Sequence, residues 1–186
     1  MSEEHNFDLV VVGGGPAGSS AAFAAAKNGI KVALIEKENS IAETVRTSGV
    51  TWVKNIKEFG IPENCYNPIK NFSFVSPNNE VTISDSTATA AVLDVRKTYR
   101  WLADEARKNG VDIFVKTNIN EVIKNKENDI VGVRGTGVNG KITFHSKVII
   151  DATGFTSTIS KAMGFVTQWE RFGAGAEYEA KVESSD

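Results

Sequence analysis

The sequence predicts an α/β fold: a parallel sheet with covering helices, an antiparallel β-meander, and the start of a second sheet domain. Three observations predict it. Phe7 to Lys37 passes from an apolar run through a glycine turn and a small-residue helix to a second apolar run. A clear amphipathic helix, Arg96 to Lys108, leads into another short apolar run at Val111 to Val115. Hairpin signals then recur at Pro77-Asn78-Asn79-Glu80 and Asn139-Gly140. The resulting order is β-α-β, excursion, α-β, meander, β. A sheet interrupted after its second and third strands has its insertions where a second layer or a substrate domain attaches.

Leu9 to Val12 is short and almost wholly apolar, as a strand buried on both faces of a parallel sheet requires. Gly13, Gly15 and Gly18 supply a G-x-G-x-x-G turn, Ser19 to Lys27 a small-residue helix, and Asn28-Gly29 its end. Ile30 to Ile35 is the second strand, closed by Glu36. This is a Rossmann-like βαβ unit with an acid about 20 positions after the glycines, the complete dinucleotide fingerprint. Gly13 permits the tight turn, Gly15 lets a pyrophosphate reach the backbone, and Gly18 lets the helix lie close on the strand. The helix N-terminus offers unpaired N–H groups and partial positive charge to phosphates. Glu36 can accept hydrogen bonds from a ribose diol and repels a 2′-phosphate, which leaves FAD or NAD.

The chain has 186 residues, enough for one substantial core and a small appendage. Hydrophobic content of 41% with 24% charged residues is globular, and a net charge of −2 gives no general attraction to nucleic acid or anionic lipid. No apolar run approaches the roughly 20 residues that span a bilayer, and the acidic start MSEEHNFD leads straight into a strand. A lone cysteine, Cys65, allows no internal disulfide or multi-cysteine metal site. A cytoplasmic protein is expected.

Further along, Gly49 to Phe59 has helical spacing and Gly60-Ile61-Pro62 stops it. Asn64 to Asn71 reads as loop, Phe72 to Ser76 and Val81 to Ser84 as a hairpin, and Thr87 to Val95 as β-prone. Asn109-Gly110 caps the Arg96 helix, and Val111 to Val115 is a third parallel strand. Ile119 to Lys124, Ile130 to Gly135 and Lys141 to His145 form the meander. Lys147 to Ile150 is a buried strand running into Asp151-Ala152-Thr153-Gly154. Ser157 to Met163 is a short helix, and Gly175 to Val182 one more strand.

The stretches DLVVVGGGPAGSSAA, IEK, VRTSG, LDVRKTYRWLADEARKNGV and VIIDATGFTS occur in the order found in FAD-dependent oxidoreductases of the glutathione reductase type. From Phe7 to about Val182 the chain most resembles the geranylgeranyl reductase family, a relative of the quinone-linked FixC-like flavoproteins and of the p-hydroxybenzoate hydroxylase group. The resemblance implies FAD as cofactor and places Gly13, Gly15, Pro16, Ala17 and Gly18 around its pyrophosphate. Glu36, with Lys37 beside it, would hold the adenosine ribose. Arg46, with Thr47, Ser48 and Gly49 in its loop, would lie near the pyrophosphate and flavin, as would Arg96. A guanidinium suits that role because its planar fork pairs with phosphate oxygens. The backbone at Ile119 would lie against the adenine, and that of Asp151 to Gly154 would approach the cofactor.

The implied activity is reduction of isoprenoid or other lipid C=C bonds, with monooxygenase, quinone-linked electron transfer and non-catalytic nucleotide binding as alternatives. The substrate is a small molecule or isoprenoid lipid, and no oligomeric state is implied. No catalytic side chain is assigned, because in such enzymes the flavin carries the chemistry. The Arg46-Thr47-Ser48-Gly49-Val50 loop lacks the cysteine and several glycines that geranylgeranyl reductases often carry there, and Thr153-Gly154 stands where hydroxylases have Asp-Gly. Family members are considerably longer. Residues 1–165 are therefore expected to be an FAD-binding domain with a segment inserted at about 60–95, and 166–186 the start of a truncated substrate domain or a tail. Any peripheral membrane contact would use the remaining domain.

His5 and His145 have no carboxylate or cysteine at ligand spacing, so no metal site is expected. Cys65 lies in a polar stretch without a neighbouring positive charge and is expected to be unreactive. Of Trp52, Trp101 and Trp169, the first two have helical spacing with other apolar residues and are expected in the core.

Overall fold

The computed structural model describes residues 3–166 and 171–175. The chain divides into two units. The first takes the residues up to Glu43 and those from Tyr99 to 166; the second takes Thr44–Thr98 and 171–175.

The first unit is built on a six-stranded sheet. β1 (Glu3–Val12) is followed by α1 (Pro16–Lys27) and β2 (Val32–Ile35). Later come α3 (Val95–Lys108), whose first four residues are counted with the second unit, then β8 (Asp112–Phe114), β9 (Asn118–Lys124), β10 (Ile130–Gly137), β11 (Gly140–Asp151) and α4 (Thr158–Ala162). The strand order is β8-β2-β1-β11-β10-β9. β8, β2, β1 and β11 are parallel neighbours, while β10 pairs antiparallel with both β11 and β9. Val111 to Val115 is thus the third parallel strand that the sequence predicts, and the meander is the antiparallel edge of the same sheet.

Two expectations about these strands are corrected. Lys141 to His145 and Lys147 to Ile150 are one strand, β11. Its first half serves β10 on one side, and its whole length serves β1 on the other, from Glu3↔Ile142 to Val12↔Asp151. That long partner is also why β1 begins at Glu3, well before the apolar run. The last part of β11 is not uniformly buried: Val148 is 55% exposed.

Alternation along β1 sorts the core into two layers. Leu9 and Val11 face Val32, Leu34 and Ala22 of α1 and Ala106 of α3. Val10 and Val12 face Ala33, Ile35, Val133, Phe144 and Ile159 of α4. Phe7 joins this second layer because the pairing with β11 skips Asp8, whose N–H and that of Leu9 both donate to the Lys31 carbonyl, and the alternation is broken there. Small residues Gly18, Ser19 and Ala22 form the buried side of α1, so the helix can approach the sheet closely.

The second unit contains β3 (Val50–Trp52), α2 (Val53–Glu58), a 3₁₀ turn at Glu63–Cys65, β4 (Tyr66–Ile69), β5 (Asn71–Ser76), β6 (Asn79–Ser84) and β7 (Ala90–Leu93). β3, β7 and β4 form an antiparallel sheet with β7 in the centre, and β5–β6 is the expected hairpin. The Gly49 to Phe59 helix is shorter than predicted: Val50–Trp52 pairs with β7, and only Val53–Glu58 is helical. Asn64 to Asn71 is likewise not a loop, since β4 adds to the free side of β7; Pro68 is tolerated there because β4 is an edge strand. Trp52 is 62% exposed rather than in the core, and Trp101 is half-buried. Both the β3 assignment and the exposure of Trp52 come from tertiary pairing, which helical spacing does not report.

Among the described residues no helix is long and apolar enough to cross a membrane. The strand expected at Gly175 to Val182 and the third tryptophan, Trp169, lie outside the described residues beyond Gly175 and at 169.

Candidate cofactor site

In chain order the parallel strands run β1, β2, β8, β11, but in the sheet β2 and β8 lie to one side of β1 and β11 to the other. The order reverses between β1 and β11. Ligands of open α/β sheets bind at the carboxyl ends of the strands beside such a reversal. Here those ends are Val12 and Asp151, which are register partners, and Ala152 N–H donates to the Val12 carbonyl over 2.8 Å.

Gly13 follows directly. Its φ of +113° is in the glycine-favoured region, and a side chain there would overlap the Ala152 carbonyl. Gly18 is needed for closeness: a Cβ would overlap the Gly13 carbonyl and lie 3.1 Å from Ala152 Cβ. Gly15 has neither constraint. Its φ is −70°, and an added Cβ would meet nothing within 4 Å. Neither φ nor crowding requires glycine at 15, which as an N-cap is favoured over alanine only modestly, and the open space over it suits a ligand seated on the turn.

Gly15 is the N-cap of α1, with Pro16 at the first helical position, no side-chain cap and no acid in the first turn. Pro16 contributes no N–H, and those of Ala17 and Gly18 have no acceptor among the described residues. An uncapped helix start with free donors is an anion site by construction.

Glu36 stands opposite. Its backbone is held on both sides: its N–H donates to the Phe114 carbonyl (2.8 Å) and its carbonyl accepts from Thr117 N–H (3.0 Å). Its half-buried carboxylate already accepts from Gly14 N–H through Oε2 (2.8 Å) and from Glu38 N–H through Oε1 (2.9 Å). A carboxylate has about four acceptor positions, so both oxygens keep capacity for a diol. Lys37 is exposed beside it. Ile119 is buried at 4% exposure in the core, on edge strand β9 opposite Gly135 of β10.

Asp151 serves the turn that follows it. Oδ1 accepts from the Thr153 N–H (3.1 Å) and hydroxyl (2.6 Å), and Oδ2 from the Ser160 N–H (2.7 Å) and hydroxyl (2.7 Å). Burial pushes its carboxyl pKa up, but these four hydrogen bonds outweigh burial and hold it below the ordinary value. The turn they fix includes Gly154 at φ +67° and Ser157 at φ +46°. Because the folded-state pKa is depressed, this stabilisation is complete at neutral pH. It is lost as pH falls from about 4, the ordinary aspartate value, through the lowered one. Asp151→Asn, which turns one oxygen into a donor facing donors, should lower stability by about 1–3 kcal/mol at pH 7. Denaturation across pH should show that difference shrinking below about pH 4; a pH-independent difference would refute the charge argument.

The remaining candidates belong to the second unit. Arg46, Thr47 and Ser48 are exposed, and Gly49 is buried with φ +76°. Gly49 N–H donates to the Thr47 hydroxyl (3.3 Å), and a Cβ on Gly49 would lie 2.7 Å from a Val95 methyl and 2.8 Å from the Leu93 carbonyl. Arg96 is exposed in the first turn of α3. That helix is started by Asp94, whose Oδ1 accepts from Lys97 N–H (3.0 Å) as an N-cap. Asp94 N–H donates to the Cys65 carbonyl (2.8 Å). Cys65 is buried at 2% exposure, not placed in an open polar loop, and burial pushes its thiol pKa up, against reactivity.

Sequence reasoning missed the parts played by Gly14, Ser160 and Asp94, and the hydrogen bonds of Thr153 to Asp151. An Asp directly before an amphipathic run was a readable N-cap signal for Asp94; nothing in the linear pattern marks the others. Among the described residues, no group of three or more His, Cys, Asp or Glu could hold a metal ion.

A glycine turn, a free helix start and an acid gathered at a sheet's order reversal define a dinucleotide-binding protein. The sequence profile of the FAD dependent oxidoreductases matches residues 8–176, and the chain belongs to that family. It is 35% identical over 162 residues to digeranylgeranylglycerophospholipid reductase of Methanocaldococcus jannaschii, covering 85% of this chain and 40% of that one. A protein from the nifH2 5′ region of Methanosarcina barkeri is 31% identical, with 88% of this chain and 91% of that protein covered. Among solved structures, a geranylgeranyl bacteriochlorophyll reductase-like protein of Thermoplasma acidophilum superposes with a TM-score of 0.77 at 30% identity, over 87% of this chain and 42% of that one. p-Nitrophenol 4-monooxygenase of Pseudomonas putida, at 20% identity and a TM-score of 0.72, shares the fold. The chain thus spans less than half the length of the reductases it matches.

The residues present fit the cofactor of this family. The free N–H groups of Ala17 and Gly18 and the open space over Gly15 suit a pyrophosphate, and the Glu36 carboxylate suits a ribose diol.

Proposed function

We propose that this chain is the FAD-binding portion of a reductase that acts on the C=C bonds of isoprenoid lipids. The observation that carries the cofactor half is the open space over Gly15 at a helix start whose Ala17 and Gly18 N–H groups have no acceptor among the described residues. The substrate half is supported by the name and likeness of the digeranylgeranylglycerophospholipid reductases. Gly13 to Gly18 would hold the pyrophosphate, Glu36 the adenosine ribose with Lys37 alongside, and the Ile119 main chain the adenine. The Asp151 to Gly154 backbone would border the cofactor. From the family resemblance, Arg46, Thr47, Ser48, Gly49 and Arg96 are assigned to FAD as well. When bound, FAD supplies hydride or electron transfer, which no side chain can perform alone. A cytoplasmic protein working on small or lipid molecules belongs to the same reading, with any membrane contact made by parts present in the longer relatives.

A second reading has one observation in its favour. The Methanosarcina barkeri relative is matched over 91% of its own length, which suits a short FAD-binding module without reductase turnover. One experiment separates the two. FAD added to purified protein should raise its melting temperature, and chemically reduced flavin on the protein should be reoxidised by an isoprenoid lipid. Stabilisation without reoxidation supports the module; no stabilisation by FAD contradicts both readings.

A further inference from the structure

The dinucleotide fingerprint leaves the residue between its first two glycines unrestricted. Here that residue is Gly14, and it is closely confined. A Cβ at 14 would overlap the end of the Ile41 side chain and lie 3.0 Å from both Cβ and Oε2 of Glu36. Its φ is not in the left-handed region, so the confinement is spatial. Ile41 is itself buried at 8% exposure, and the Arg100 guanidinium donates to its carbonyl over 3.4 Å. The Gly14 N–H points at the Glu36 carboxylate, 2.8 Å away.

Glu36 cannot easily follow a moving turn. Its main chain is tied to Phe114 and Thr117, and its second oxygen is tied to the Glu38 N–H. We infer that Glu36 is a positioning residue for the phosphate turn: through the Gly14 N–H it sets the turn's shape in the ligand-free chain. This rests on the FAD reading for the identity of the ligand, and adds to the ribose contact given there. Only a carboxylate serves both donors. A glutamine would present one oxygen and one NH₂, so either Gly14 N–H or Glu38 N–H would face another donor.

The test uses the ligand-free chain first. Glu36→Gln should speed hydrogen exchange at the Gly14 amide by about tenfold and shift the amide signals of Gly13 to Gly18, the loss of one hydrogen bond to a charged group. Inorganic pyrophosphate, which has no ribose, is then titrated alongside ADP. Positioning predicts that Glu36→Gln weakens both, pyrophosphate by about tenfold. Unchanged Gly14 exchange with loss confined to ADP would overturn it and leave Glu36 a ribose contact alone. If neither chain binds either ligand, the FAD reading fails, and Gly14 exchange still decides the positioning role. Should Glu36→Gln not fold, Glu36→Asp replaces it: the shortened side chain draws the carboxylate away from the Gly14 N–H and should lower pyrophosphate affinity, and wild-type Gly14 exchange with wild-type affinity in that variant would refute the proposal.

Discussion

Gly15→Ala should leave the stability of the ligand-free protein within about 1 kcal/mol of wild type, and yet reduce FAD affinity about 100-fold or more. The first part follows from conformation. At φ −70° with nothing within 4 Å, an alanine fits without strain, and the entropy it removes from the unfolded chain offsets the loss of glycine as a favoured N-cap. The second part follows from the ligand. A methyl group over the helix start would hold a pyrophosphate away from the Ala17 and Gly18 N–H groups. Hydrogen bonds to a charged group contribute about 1.5–3 kcal/mol each, and every 1.4 kcal/mol is tenfold in affinity. Thermal melts with and without FAD, together with direct titration, check both parts. A variant that binds FAD normally would remove the turn from the cofactor site.

The largest effect on folding is expected at Phe144. It is fully buried in the middle of β11, edge-on to Phe114 with ring centres 4.9 Å apart and stacked on His5 at 5.4 Å. Phe144→Ala should cost about 3–5 kcal/mol, a substantial share of a domain's total stability of about 5–15 kcal/mol. The melting temperature should fall by roughly 6 to 20 °C. Phe74, 63% exposed on the β5–β6 hairpin, supplies the contrast: Phe74→Ala should stay within about 0.5 kcal/mol. Equal losses at the two positions would mean that the sheet core is not where the burial pattern puts it.

How far the sequence could be read depended on whether a feature was local. The βαβ unit, the Asn109-Gly110 helix end and the Pro77 to Glu80 hairpin are set by neighbouring residues, and each is found where its residues predict. β11 is different. Its two halves read as separate strands because Ser146 and Lys147 interrupt the apolar run, and only the long register with β1 joins them. β3 and β4 were hidden for the same reason: both exist because β7 has two sides to pair. Within the site, Gly13, Gly18 and Glu36 carry visible signals because fixed spacing demands them. The Gly14–Glu36 hydrogen bond spans 22 positions, and the Asp151–Ser160 clamp joins a strand end to helix α4. Such bonds depend on where the backbone turns, which composition and periodicity do not encode.

The carboxyl ends of β1 and β11 are proposed to hold the adenosine diphosphate half of FAD. The most direct measurement is a titration of the ¹⁵N-labelled chain with FAD, followed amide by amide. The largest shifts should fall at Gly13 to Gly18, Glu36, Lys37 and Ile119. Shifts centred elsewhere, with the glycine turn unmoved at saturation, would contradict it.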